Sequence, residues 1–505
     1  MKTKLVSIFF FLSFVAQAQI TDLNKLSQGK FYSSDVIKDS NNNIKGYFFL
    51  FETDKIAKET YELEYVVLDE NLNKVTNGFI TEMKYESWLI SARNIDVNLS
   101  LYKNKLLIQF TDHFDPNGIA GYRRFRILDI QNNKLSNPFI FNQGKMISNP
   151  KVDRKIKNYA SVQSEEMQFC NEIGLIVDSR NLDREYENRY LALYDENNNQ
   201  VWRNDYENGE DKKRIKSLTY MNSDKDVIVY FNHFNKRAIY VNDYSVLLIN
   251  AKDGKIIKEF FFLNVADYAY KLVNVVIKDD EVILLGNFTG KSDYGFTTDT
   301  DNTGLFSYRL DKVTGKMLDK KFLYWDDIGT KIDINGHGKI KDEGYIFIHN
   351  MLPLSDGRII VVCEAFLQSP ITTNNMYFLE LSKDLNLNQV FEVDKFKNKF
   401  PGTVAHSTNI KKSGLFDFID YQTLGDDEFL FFLNDNEKGS KNRKKSTLFG
   451  IVSYADGKFN RQTVNLKTEF SSINAFPSKK GYITLVENFD EINKPTEIRL
   501  EKINY

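Results

Sequence analysis

Eight times along the chain a short, nearly unbroken run of apolar residues ends in an acidic or amide side chain. The runs occupy 46–52, 106–112, 174–178, 227–232, 282–287, 358–364, 429–434 and 482–487. They end at Glu52, Asp112, Asp178, Asn232, Asn287, Glu364, Asn434 and Glu487. A helix exposed on one side would break such runs with polar residues every third or fourth position. These runs lack that period and are bounded by Gly, Asp and Lys turns, so they predict strands buried on both faces. Their ends are spaced 60, 66, 54, 55, 77, 70 and 53 residues apart, a period near 60 with insertions.

A hairpin follows most of the runs, at 65–75, 125–135, 191–201, 247–256, 308–317, 378–388 and 451–459. Asp, Asn and Gly at the tips accept the positive φ angles that tight turns need. The last unit stops after a third strand at 496–503. Each unit therefore predicts about four strands, and the sheet edges must be hidden. Closing the sheets into a ring hides them, with a strand from Ile20 to Tyr32 completing the short last unit. The expectation is an all-β propeller of eight four-stranded blades, with seven blades as the alternative and a two-domain β-sandwich as the rival fold. In this rhythm the chain resembles secreted β-propeller proteins at the level of the fold. It carries no subfamily signature: Trp325-Asp326 is a lone dipeptide, and the kelch and sialidase patterns are missing.

The first residues change where such a fold belongs. Lys2 and Lys4 precede an apolar run from Leu5 to Val15, and Ala16-Gln17-Ala18 matches a small-x-small cleavage site. The prediction is a signal peptide at 1–18 and a single propeller domain at 19–505. The run is shorter than the ~20 apolar residues of a membrane-spanning helix. It also contains no cysteine for a lipid anchor, so export to the periplasm or the cell exterior is expected. Of 505 residues, 67 Lys and Arg face 69 Asp and Glu, a formal charge of -2 that becomes -4 when the two leader lysines leave. That balance disfavours nucleic acid as a partner. Two cysteines, Cys170 and Cys363, fall in different units and are expected as buried free thiols.

Candidate chemistry is sparse. His113, His233, His337, His349 and His406 show no zinc-ligand spacing. The glycines around His337 lack a dinucleotide-binding context. Asp299 and Asp301 lie in an oxygen-rich run before Gly304, a weak calcium candidate whose EF-type glutamate position holds Leu310. Runs beginning at Asp69 and Asp195 read as ordinary hairpin tips. The eight run-ending residues would lie on one circle of a closed ring. There they would either bind a cation or polar ligand or cap neighbouring backbone N–H groups. Insertions are predicted at 326–344 and 395–413, and a basic run spans Lys438 to Lys445. No cofactor other than possible calcium is implied. The composite expectation is a non-catalytic binding or scaffolding module for an envelope or extracellular protein or glycan. A polysaccharide-acting enzyme, which would need two carboxyls ~5–10 Å apart, and a structural envelope component are the alternatives.

Overall fold

In the computed structural model, alternate residues of one strand face different neighbours. In the strand Ile44–Ala57, Phe48 and Leu50 pack with Leu106, Ile108 and Phe110 of the following sheet. Tyr47, Phe49 and Phe51 of the same strand pack with Val486, Ile498 and Leu500 of the last sheet. Both faces are dry over residues 47–51, so each of those positions is apolar and the usual strand alternation vanishes. The described residues run from 20 to 503, except 40–41, 58–59, 84–95, 113–121, 143–144, 151–165, 171, 179–188, 207–213, 237–240, 263–267, 291–301, 404–406, 437–446, 466–470 and 490–496. Residues 1–18, the expected leader, lie outside them.

The sheets number eight, and each is an antiparallel meander of four core strands. Blades 1 to 8 span 30–83, 96–148, 166–206, 214–261, 268–324, 339–400, 418–465 and 471–502. Every apolar run of the sequence is the second strand of its blade. First strands of consecutive blades touch around the axis, as in blades 1 and 2, 4 and 5, and 5 and 6. Eight apolar layers fill the eight gaps between blades, and the layer joining blades 8 and 1 closes the ring. The protein is therefore an eight-bladed β-propeller. Cys170 and Cys363 are free and buried in blades 3 and 6, and burial pushes the Cys170 thiol up to about 12.

Closure uses the N-terminal segment more sparingly than expected. Only Ile20–Asp22 joins blade 8, pairing Ile20 with Arg499 and Asp22 with Glu497. The expected remainder of that strand is instead the turn of helix Leu23–Leu26 and the start of blade 1 at Lys30. The chain must cross from the rim of one blade to the axis of the next, which a continuous strand cannot do. A buried tyrosine reinforces the seam: the Tyr47 hydroxyl meets Ser478 and lies 2.8 Å from Thr484. Blade 2 adds a short outer strand at Lys145–Ser148, and blade 6 adds Lys339–Ile340 beside its first strand and Asn398–Phe400 beside its third.

The two faces of the disc differ. One carries the short turns between first and second and between third and fourth strands. Two of these share one design: Asp69 and Asp195 each accept the N–H groups two and four residues on, at 2.8 Å. Each carboxylate is thereby committed to its own turn. The other face carries the longer connections, including the run-ending residues and both predicted insertions.

Deleting Ile20–Asp22 should leave blade 8 with an open edge. We expect a lower melting temperature, corresponding to ~1–3 kcal/mol for the lost strand pairing, together with concentration-dependent association. Calorimetry and light scattering measure both.

Candidate functional site

Blade 6 is where the fold departs from repetition. The connection entering it contains the helix Trp325–Ile332, whose Trp325, Ile328 and Ile332 are buried in the layer between blades 5 and 6. The connection leaving it runs over 394–417 and contains the helix Ser407–Lys412. Ile410 of that helix packs with Phe347, Phe366, Ile371 and Phe416, a ninth apolar cluster that seals the insertion onto the blade.

Beneath this insertion lies a buried ionic network built on two irregularities. In the first strand, Gly344–Pro353, His349 is an extra residue: Ile348 pairs with Cys363 and Asn350 with Val362. In the third strand, Ile371–Leu381, Asn374 and Asn375 stand opposite Ala365 alone, because Glu364 pairs with Met376 and Phe366 with Thr373. Bulges of this kind re-aim side chains. Similar first-strand bulges occur in blades 1, 4, 5 and 7, where the extra residues are Tyr32, Met221, Val273 and Ile419. Blade 6 alone puts an imidazole there.

Glu364, with no exposed side-chain surface, is the hub. Its carboxylate lies 3.1 Å from His349 Nε2 and 3.3 Å from Lys395 Nζ. It also accepts the backbone N–H groups of Asp417, the last residue of the connection, and Phe418, the first of blade 7, at 3.1–3.2 Å. The Lys395 ammonium meets Asp417 as well. Asp417 accepts the Thr373 hydroxyl at 2.9 Å and the Asn398 amide at 2.8 Å. His349 sits among the Phe347, Phe416 and Phe418 rings.

Burial lowers the affinity of His349 for a proton, so the imidazole is neutral. Burial also drives Glu364 up, but Lys395, His349 and the Asp417 N–H outweigh it and hold the carboxyl below its usual range. Asp417 is pushed up to about 6 by burial, with the Glu364 charge adding to the effect against Lys395. Two carboxylates share one ammonium here, and below about pH 6 a proton at Asp417 relieves the surplus. The network is closed to solvent and offers no accessible acid or base. What it accomplishes mechanically is to bolt the 394–417 insertion to blades 6 and 7.

A second cluster sits beside it, nearer the surface. Glu343, the last residue before Gly344, accepts the Asn375 amide and the Tyr377 hydroxyl, each at 2.8 Å. The same Asn375 nitrogen donates to Glu392 at 2.8 Å. Gly344 has φ 102°, a conformation that suits glycine, and its missing Cβ would lie 2.1 Å from the Phe366 carbonyl. This tight turn fixes where Glu343 enters the cluster. The Asn375 side-chain oxygen Oδ1 accepts the Lys395 backbone N–H at 3.3 Å, which joins the two clusters.

The run-ending residues occupy equivalent places. Glu52, Asp178, Asn232, Asn287, Glu364 and Glu487 pair with Lys30, Glu166, Leu218, Lys271, Phe347 and Ile473 of the first strands. Asn434 donates its N–H to the Asp417 carbonyl, and the Asp112 side chain lies outside the described residues. Glu364 reaches across to the connection and blade 7, whereas Asn232 reaches Glu259 at 3.2 Å and Glu487 reaches Arg499 at 2.7 Å, each within its own blade. Asn434 is exposed, whereas Asp178 and Asn287 are buried. Asp299, Asp301, His113, His406 and the Lys438–Lys445 run also lie outside the described residues, as does the His233 side chain. His337 is exposed in a turn of the first insertion.

The sequence reading did not single out Asp417, Glu343, Asn375, Tyr377 or Glu392, and it treated Lys395 only as the start of an insertion. The long intervals flanking Glu364 were the one available pointer. Among the described residues no set of three His, Cys, Asp or Glu is placed to hold a metal ion. None of their helices is long and apolar enough to cross a membrane. On the opposite face, an open cleft of about 700 Å3 lies between blades 1 and 2, with Ile37, Val67, Leu101 and Ile130 under a rim of Lys45 and Lys103.

A family model described as a family of unknown function (DUF6770) matches residues 1–373 and 370–504. No curated protein matches. The chain is similar in structure to a polysaccharide lyase of the PL25 ulvan lyase family, at 11% identity and a TM-score of 0.40, over 80% of this chain and 91% of the other. It is also similar to the β-propeller domain of the Trilobed protease from Pyrococcus furiosus (11%, 0.36, 86% and 95%). The WD40 domain of SCAP from fission yeast is a third (8%, 0.40, 97% and 98%).

Lys395→Met should cost ~3–5 kcal/mol in chemical denaturation, because it strands two buried carboxylates. Asp417 has the opposite pH signature. Its native pKa lies above its unfolded value, so the native state keeps a proton that the unfolded chain releases. Its contribution is therefore present at low pH and lost as pH rises through about 6. Glu364, held low, contributes stability that is lost as pH falls below the ordinary carboxylate range. Asp417→Asn, with the Asn398 amide turned to accept, should flatten the stability change between pH 5 and 7. Melting curves across that range would show it.

Proposed function

The chain belongs to the DUF6770 family, and we propose that it is an exported, non-catalytic propeller that binds or scaffolds an envelope or extracellular protein or glycan. Recognition falls to the face with the long connections, centred on the two insertions that flank blade 6. The observation that carries this reading is the fate of the buried charges. Glu364, Lys395, Asp417 and His349 are spent on holding a surface insertion rigid, and none is available for chemistry. A pre-organised loop loses little freedom on binding, which is what a recognition surface needs. The leader pattern at 1–18, a basic start, an apolar run and a small-x-small site, supports export.

An enzymatic reading would need an accessible carboxylate pair. Glu343 and Glu392 come close enough, but the Asn375 amide bridges them and fills the gap where a scissile bond would lie. This weighs against the polysaccharide-acting alternative.

The test compares the mature protein with a variant in which 399–414 is replaced by a Gly-Ser linker, leaving Lys395 and Asp417 in place. Both are incubated with native envelope extract and with a polysaccharide panel, followed by mass spectrometry and product analysis. We expect one stoichiometric partner or one retained glycan, lost in the variant, with no bond cleavage. Depolymerised glycan, or a partner captured equally by the variant, would overturn the proposal.

A further inference from the structure

The network under the second insertion holds an amine against a carboxyl where solvent is excluded. The side chains of Lys395 and Glu364 have no exposed surface, and that of Asp417 is 8% exposed. The Lys395 nitrogen meets Oδ2 of Asp417, so it lies against an oxygen bonded to the carbon that an amine would attack. Oδ2 also accepts the Thr373 hydroxyl at 2.9 Å, while Oδ1 accepts the Asn398 amide at 2.8 Å. The two oxygens are thus held differently, one by an amide donor and the other between an amine and a hydroxyl. Exclusion of solvent denies this site a substrate from outside, but it does not prevent a reaction between the site's own members.

An amine and a carboxyl in water do not condense, because both are ionised and water opposes the loss of water. Burial changes both conditions. It favours the neutral form of each group and pushes Asp417 up to about 6. The Glu364 and Asp417 charges still keep Lys395 an ammonium against the effect of its burial. A proton must therefore leave the nitrogen first, and Glu364, 3.3 Å away, is placed to take it. Fixed geometry supplies the rest, since well-oriented intramolecular reactions reach effective molarities of about 10⁵–10⁸ M. The product is favoured too: a neutral amide replaces two ions whose removal from water is costly.

We infer that Lys395 and Asp417 condense to an intramolecular isopeptide bond that closes the base of the second insertion. Glu364 takes one proton from the Lys395 ammonium, and the freed electron pair attacks Cγ of the protonated Asp417 to form the Nζ–Cγ bond. The Asn398 amide steadies the charge that develops on Oδ1. The Cγ–Oδ2 bond then breaks, and Oδ2 leaves as water with its own proton and the one Glu364 held. The surplus proton on nitrogen passes to the emptied Glu364. The net change is ammonium plus carboxylic acid to amide, water and a proton, with no oxidant or co-reactant. Positions 395 and 417 are 22 residues apart, so the bond turns the insertion into a closed loop. The two free cysteines supply no such cross-link. The pH response of Asp417 given above belongs to the chain before the bond forms.

Intact-mass spectrometry of the purified full chain, denatured and reduced, reads the lost water, and peptide mapping locates it. We expect the wild type to be one water lighter than its sequence requires, and to yield a branched peptide joining Lys395 to Asp417. Lys395→Arg keeps the positive charge but has no amine to condense, and Glu364→Gln cannot take the proton. Both variants should show the full mass. A wild type at full mass overturns the inference however the variants fold. So does a lost water that maps elsewhere in the chain or persists in Lys395→Arg. A bond that forms completely in Glu364→Gln overturns the role assigned to Glu364. The reading stands apart from the recognition proposal, because the mass is the same whether or not the insertion captures a partner.

Discussion

Every sheet in this protein must be covered on both sides, and the rest of the architecture follows from that requirement. A strand such as Ile44–Ala57 presents Phe48 and Leu50 to one neighbour and Phe49 and Phe51 to the other. No terminal sheet of an open stack could satisfy this, because its outer face would stay wet. A ring has no terminal sheet. The eight apolar layers are thus one continuous circuit, and the first strands come together around the axis as its geometric consequence.

Within that circuit, blade 6 trades repetition for charge. An ion pair taken out of water is costly, and well-packed apolar side chains would often serve stability better. The network is therefore not explained by stability alone. Its partners come from two blades and the insertion between them, so it specifies where the insertion sits more than how tightly the blades pack. The two bulges make this possible, because a regular register would turn His349 and the paired asparagines elsewhere.

The difference between fold and site in legibility has a physical origin. Burial on both faces writes itself into consecutive residues, so all eight second strands, and the hairpins after most of them, could be read from local runs. The closing strand was legible in position but not in length, since the radial crossing from rim to axis leaves no periodic trace. The network is held across larger gaps: His349 and Glu364 are 15 residues apart, Lys395 and Asp417 are 22 apart, and Asp417 and Glu364 are 53 apart. No local spacing encodes those meetings, and the bulges that align them shift the register by single residues. Glu364 was visible as the end of an apolar run, while its partners were scattered among ordinary surface-looking lysines and acids.

The closing strand also sets an order of events. Ile20–Asp22 is made first but has no partner until Glu497 to Arg499 exists, at the far end of the chain. Contacts of such sequence separation form slowly, because loop closure must precede any gain from the pairing. Blades 1 to 7 draw their core strands from contiguous stretches, and each can assemble as its own segment emerges. The ring as a whole cannot. Until the last blade is complete, the apolar flank of blade 1 facing the seam stays uncovered, and the chain remains an open arc that a protease or a holding chaperone can distinguish from the finished disc.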